Sequence, residues 1–250
     1  MTPFDLPQSE DEQARDGRDG QARKTARPSR TARPSRVTLT FDHPLTSAEV
    51  DRLQRSTDAQ AAVRVPPGVA QAHDRERKLA FDKSSDPEVG ALLAVLAAAV
   101  PAGGRILETG TGAGMGLAWI AHGLGDREDV EVLSVELDAE RAASVRAAGL
   151  PPGTSVLVGD ALELIGSQGT FDLVFADTPS AKTTGLADIV GALRPGGALL
   201  IDDIADATHP ESYTRITTLR ERLFGDPRLV VAELTCSTGM FLATRRRTQD

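Results

Sequence analysis

The ten residues Arg105-Ile106-Leu107-Glu108-Thr109-Gly110-Thr111-Gly112-Ala113-Gly114 constrain this chain more than any other stretch. A short apolar run ends in an acid. Glycines then recur at every second position through Gly116, and the apolar-rich stretch Met115–Leu124 follows. That order predicts strand, tight turn and helix, a unit that grips a nucleotide-like ligand at the carboxyl end of a parallel strand. The glycines do not keep the dinucleotide spacing Gly-x-Gly-x-x-Gly/Ala. Counted from Gly110 the third small residue falls on Met115, and counted from Gly112 it falls on Leu117.

Glu108 narrows the ligand class. A diphosphate is held by backbone N–H donors and repelled by a carboxylate. S-adenosylmethionine has no phosphate and carries two cationic groups, a sulfonium and an α-amino group. Glu108 at the strand tip suits that cofactor and disfavours NAD. The cofactor turn then comprises Gly110, Thr111, Gly112 and Gly114, and Asp177 at a later strand tip is expected to border the same cofactor.

Strand and helix patterns alternate through the rest of the chain. Strands are predicted at Arg105–Glu108, Val130–Val135, Ser155–Val158, Phe171–Ala176 and Ala198–Ile201. Helices are predicted at Gly114–Gly123, Ala139–Ala148, Ala161–Ile165, Gly185–Leu193 and Tyr213–Phe224. Leu229–Thr235 and Met240–Thr244 read as a closing hairpin. The pattern predicts an α/β fold: a doubly wound, mostly parallel seven-stranded sheet with an antiparallel C-terminal edge hairpin. Ahead of the first strand, Ser85-Asp86-Pro87-Glu88 has the spacing of a capping box and opens a helix to about Val100.

Each parallel strand ends at an acid: Glu108, Glu136, Asp160, Asp177 and Asp202-Asp203. That edge of an open α/β sheet is where ligands bind. Glu136 can accept from both hydroxyls of a ribose. Asp160 can accept from an adenine amino group, with the N–H of Ala161 facing the base; it can equally cap the helix that starts there. Asp138 is better placed than Glu136 to cap the next helix. Asp177, Asp202 and Asp203 offer hard oxygen ligands to Mg²⁺ or another divalent cation; without one they would repel each other and resist ionisation. Lys182, five residues past Asp177, is a candidate general base on a substrate hydroxyl, with Asp177 its catalytic partner. Most lone lysines are merely solvated. His43, His73, His122 and His209 form no evident dyad, and Met115 and Trp119 read as packing residues.

Residues 1–36 hold eight Lys/Arg and six Asp/Glu and contain a tandem Thr-Ala-Arg-Pro-Ser-Arg repeat at 25–36. Such a segment buries too little apolar surface to offset chain entropy and is expected to be a disordered tail. Its net +2 leaves −10 on the remainder of a chain whose total is −8, which argues against a nucleic-acid partner. A domain over 37–250 is expected, with a helical lid at 37–100 and the cofactor-binding core at 101–250. The single cysteine, Cys236, excludes an intrachain disulfide and is expected to pack within a strand. No apolar run reaches about 18 residues, and no basic-then-apolar leader opens the chain, so a cytoplasmic protein with no membrane partner is expected. The C-terminal hairpin could pair with a second copy to form a homodimer.

With these residues in view, the chain resembles the class I S-adenosylmethionine-dependent methyltransferases, in the catechol/caffeoyl-CoA O-methyltransferase-like group. The likeness covers roughly residues 75–245. It rests on the segments 81–88, 107–112 and 171–177, and on Leu193-Arg194-Pro195-Gly196-Gly197 followed by Ile201-Asp202-Asp203. The resemblance implies Glu108 near the methionine moiety, Glu136 on the ribose, Asp160 near the adenine, and Asp177, Asp202 and Asp203 on Mg²⁺. It implies methyl transfer to the hydroxyl of a small acceptor. Three features depart from the family pattern. Asp203 stands where Asn is common, the lysine lies five rather than three residues past Asp177, and residues 178–181 hold no aromatic. Rival readings are a metal-independent methyltransferase acting on nitrogen or oxygen, an NAD-dependent oxidoreductase, and a cofactor-binding protein without turnover.

Overall fold

The computed structural model describes residues 65–204 and 210–247. The expected tail over 1–36, the first part of the expected lid (residues 37–64), His43 and His209 lie outside them. Among the described residues no helix is long and apolar enough to cross a membrane.

Two helices lead in, α1 (Pro67–Lys78) and α2 (Pro87–Ala98). The alternating core follows as β1 (Arg105–Thr109), α3 (Met115–Leu124), β2 (Glu131–Glu136), α4 (Ala139–Ala147), β3 (Thr154–Val158), α5 (Ala161–Ile165) and β4 (Phe171–Ala176). Then come α6 (Pro179–Lys182), α7 (Leu186–Ala192), β5 (Leu193–Ile201), α8 (Pro210–Gly225), β6 (Leu229–Leu234) and β7 (Met240–Arg245). The sheet has seven strands in the order β3-β2-β1-β4-β5-β7-β6. The first five are parallel; β7 runs antiparallel to both β5 and β6. The expected doubly wound architecture with its antiparallel edge is present.

Strand alternation sends neighbouring side chains into two separate cores. Ile106 joins the cluster built on Leu93, Trp119 and Ile120, under α2 and α3. Leu107 joins the cluster of Ile165, Ile189 and Leu223, under α5, α7 and α8. With few aromatics in the chain, Trp119 is the largest fully buried side chain. Its indole lies where a Cβ on Gly90 would be, so α2 and α3 approach closely. Truncating such a residue costs about 3–5 kcal/mol.

Several local expectations are corrected. The capping box does not form. Pro87 takes the first helical position, Asp86 is the N-cap without a capping hydrogen bond, and Ser85 is left outside the helix. Pro195-Gly196-Gly197 lies inside β5, which starts at Leu193, and the irregularity is absorbed as a register shift opposite Phe171–Leu173. A short helix, α6, follows β4, where no helix was expected. Cys236 does not pack in a strand; β6 ends at Leu234, and the thiol is exposed in the β6–β7 turn.

Candidate functional site

A cavity of about 890 Å³ opens at the carboxyl ends of β1, β2, β4 and β5. Its floor is the glycine turn. The N–H groups of Gly110 and Thr111 donate to the Val135 carbonyl at 2.8 and 3.3 Å, which pins the turn to β2. Gly110 has φ +93, and a Cβ there would meet Thr178 Cγ2 at 2.9 Å and the Asp177 carbonyl at 3.1 Å. Only glycine satisfies both demands.

Glu108 lies beneath that turn, fully buried. Ser134 Oγ donates to its Oε2 at 2.5 Å, and Thr111 Oγ1 lies 2.5 Å from the same serine oxygen. Oε1 has no partner. Burial pushes the Glu108 carboxyl up to about 8; the Ser134 bond opposes this, and the Asp177 and Glu136 charges add to it. A Cβ on Gly116 would overlap Oε1. The first turn of α3 is therefore hollowed to admit a carboxyl group, one oxygen of which is left without a partner.

Glu136, 4% exposed, is crowded with donors. Gly112 N–H donates to Oε2 at 2.8 Å, and Asp138 N–H donates to Oε1 at 2.9 Å. Arg141 reaches Oε1 through Nε at 3.1 Å and Nη2 at 2.7 Å. The same guanidinium lies 5.4 Å over the Phe81 ring, and Phe81 covers Gly112. Asp138, as expected, caps α4 by accepting from the N–H groups of Glu140 and Arg141. Asp160 caps α5 by accepting from Leu162 N–H at 2.8 Å, and both Asp160 and Ala161 line the cavity.

At the far end stand the three aspartates. One carboxylate oxygen of each lies within 4.8 Å of those of the other two. Asp177 is nearly buried. Thr178 caps α6, Pro179 takes its first position, and that single turn returns the Lys182 Nζ to 3.2 Å from Asp177 Oδ1. Nζ is also 3.7 Å from Asp203 Oδ2, and Ser85 Oγ donates to Asp177 Oδ2 at 3.4 Å. Burial raises the Asp177 carboxyl to about 7; Lys182 pulls it down, and Asp202 and Asp203 push it up. Asp202 is fully buried, and burial raises its pKa as well. Its Oδ1 accepts from Thr238 Oγ1 at 2.6 Å and from Asp203 N–H at 2.7 Å, while Oδ2 has no partner. Asp203 has φ +56, a left-handed conformation that asparagine and aspartate tolerate better than most side chains.

A methyltransferase-domain family matches residues 107–204. A protein of Mycolicibacterium vanbaalenii, provisionally named an O-methyltransferase, is 33% identical over 172 residues, covering 64% of this chain and 76% of the relative. The chain belongs to the class I S-adenosylmethionine-dependent O-methyltransferases, in the caffeoyl-CoA group. Solved structures agree on the fold. The O-methyltransferase TomG of Streptomyces achromogenes, in complex with SAM, matches with a TM-score of 0.65 at 22% identity, over 81% of this chain and all of that one. An O-methyltransferase of Bacillus cereus in complex with SAH matches at 0.64 and 21%, over 77% and 96%.

Of the residues singled out in the methyltransferase sequence, the cavity wall includes Glu108, Gly110, Thr111, Gly112, Glu136, Asp160, Ala161, Asp177, Lys182 and Asp203. Gly114 is not on the wall: it opens α3 with φ +80, packed against Val145 and Arg75. Asp202 stands behind the wall. His73 pairs with Glu76 and His122 stacks edge-on to Trp119, so neither serves the cavity. Sequence reasoning missed Phe81, Leu137, Arg141, and the α8 residues Arg215, Ile216 and Leu219 as wall residues. Leu137 carried a signal: a large apolar residue directly after a strand-end acid, 74% exposed in the fold.

Proposed function

We propose that this methyltransferase moves the methyl group of S-adenosylmethionine to a hydroxyl of a small acceptor, assisted by a divalent cation on Asp177, Asp202 and Asp203. One observation carries the reading: a single cavity joins the glycine turn and Glu108 at one end to Asp177, Asp203 and Lys182 at the other. A donor and an acceptor bound in it would be neighbours, and positioning is a large part of such a displacement.

The residues present fit the cofactor. Glu108 keeps an unpartnered buried oxygen, which favours a cationic ligand. Glu136 retains room on Oε2 for a ribose hydroxyl, and the exposed face of Leu137 suits a flat apolar base. When bound, S-adenosylmethionine supplies an electrophilic methyl on a cationic sulfur. The aspartates fit a hard cation, being all-oxygen, close together and partly orphaned. When bound, Mg²⁺ supplies Lewis acidity that eases loss of the acceptor's proton. Lys182, held against Asp177, is the candidate general base for that proton. Ile216 and Leu219 of α8 exclude water from the acceptor end.

A second reading has its own support. The Lys182 ammonium already lies between Asp177 and Asp203, so countercharge is present without a metal. The two readings separate in one experiment. Purified protein with S-adenosylmethionine and a panel of hydroxyl acceptors is assayed for methylated product by mass spectrometry, with Mg²⁺ and with a chelator. Product only with Mg²⁺ supports the first reading and equal product in both supports the second. No heat on titration with S-adenosylhomocysteine overturns both.

A further inference from the structure

The β6–β7 turn makes three contacts with the acceptor end of the site. Gly239 accepts from Ile204 N–H at 3.2 Å, just past the Asp202-Asp203 tip. Ser237 Oγ donates to Asp86 Oδ2 at 2.7 Å, at the start of α2 and next to the Ser84-Ser85 segment of the cavity wall. Thr238 Oγ1 donates to Asp202 Oδ1 at 2.6 Å. None of the three residues carries the reaction, and the turn is remote in sequence from the strand tips it touches.

The Thr238 contact has a specific consequence. Asp202 Oδ1 takes two donors, the Thr238 hydroxyl and the Asp203 N–H. Oδ2 takes none, although the residue is fully buried. A hydroxyl and an amide fixed on one oxygen lock the carboxylate's rotation and leave the other oxygen as its only free acceptor. An unpartnered buried carboxylate oxygen is costly unless something charged completes it.

We propose that Thr238 is a positioning residue, whose hydroxyl holds Asp202 Oδ1 so that Oδ2 is reserved for a divalent cation shared with Asp177 and Asp203. This rests on the cation reading given above. A hydrogen-bonding partner behind a metal ligand fixes its orientation, and losing one typically weakens metal affinity by roughly 10- to 100-fold.

The test uses Mn²⁺ as the probe, bound to the full-length protein and followed by electron paramagnetic resonance of the free ion. Thr238→Val removes the hydroxyl at nearly constant volume, and Thr238→Ser keeps it. The expected result is a fall in Mn²⁺ affinity of roughly 10-fold or more in the valine variant. The serine variant is expected to bind as wild type, and S-adenosylhomocysteine affinity by calorimetry to be unchanged in both. A merely structural role for Thr238 would lower cofactor affinity and metal affinity together. Equal Mn²⁺ affinity in wild type and Thr238→Val overturns the proposal and leaves the cation reading standing. A wild type that takes up no Mn²⁺ overturns both.

Discussion

Arg141 donates through Nε and Nη2 to one oxygen of Glu136, the same oxygen that accepts from the Asp138 N–H. Oε2 has a single donor, Gly112 N–H. A ribose hydroxyl therefore has one oxygen to address unless Arg141 lets go. Glu136→Gln turns one acceptor into a donor facing N–H groups. Hydrogen bonds to charged groups contribute about 1.5–3 kcal/mol, so S-adenosylhomocysteine affinity is expected to fall roughly 10- to 100-fold. Isothermal titration calorimetry measures it; wild-type affinity would remove Glu136 from the cofactor grip.

Glu108 makes cofactor affinity depend on pH. Its carboxyl holds a proton up to about 8 in the cofactor-free protein. A cationic ligand favours the ionised form, so below that pH binding must expel the proton. Affinity for S-adenosylmethionine is expected to rise with pH, by up to about tenfold per unit, and to level off above about 8. The same shift acts on folding with the opposite sign. Above its ordinary value of 4.5 the unfolded chain loses this proton while the folded chain keeps it. Glu108 therefore lowers the stability of the cofactor-free protein as pH rises from the ordinary value to about 8. Glu108→Gln is expected to flatten both profiles, in calorimetry and in thermal melts; an unchanged profile refutes the assignment.

Gly116 is a position where one methyl group would strike the cavity's buried acid directly. A Cβ there overlaps Glu108 Oε1, and Phe175 lies 3.1 Å away on the other side. Overpacking of this kind costs about 1–3 kcal/mol. Gly116→Ala is expected to lower the melting temperature by roughly 2–10 °C and to weaken cofactor binding by displacing the carboxylate. Differential scanning fluorimetry with and without S-adenosylhomocysteine reads both effects.

Asp177→Asn leaves the acid trio one charge short and removes the nearer partner of Lys182. If a cation assists transfer, turnover is expected to drop roughly 10²-fold or more, as when one stabilising group is lost from a transition state. Affinity for S-adenosylhomocysteine is expected to stay unchanged. Full turnover in this variant, together with indifference to a chelator, would favour the Lys182-only reading.

The parts of this molecule that are local were legible in its residues. α5 and β4 fall where the apolar pattern and flanking acids put them, and the strand-tip acids are visible as a series because each strand is short and ends sharply. Ser85 shows where local rules fail. Its spacing from Glu88 fits a capping box, yet Pro87 claims the helix start and the freed hydroxyl turns to Asp177. α6 carried its signals in Thr178 and Pro179, but four residues are too few to show a period. Phe81, Arg141 and Thr238 were invisible for a different reason. Phe81 and Arg141 meet over Gly112 across 60 residues of sequence, and Thr238 reaches Asp202 from 36 residues away. No window along the chain contains both members of either pair.

The place of β7 between β5 and β6 sets a timetable for the newborn polypeptide. The glycine turn and its supporting strands leave the ribosome long before residues 240–245, which must then slot in beside β5. Until that happens β5 is a bare margin, and Asp202 lacks the hydroxyl that orients it. The Asp202-Asp203 tip of β5 is therefore completed last, once the final hairpin has emerged and docked.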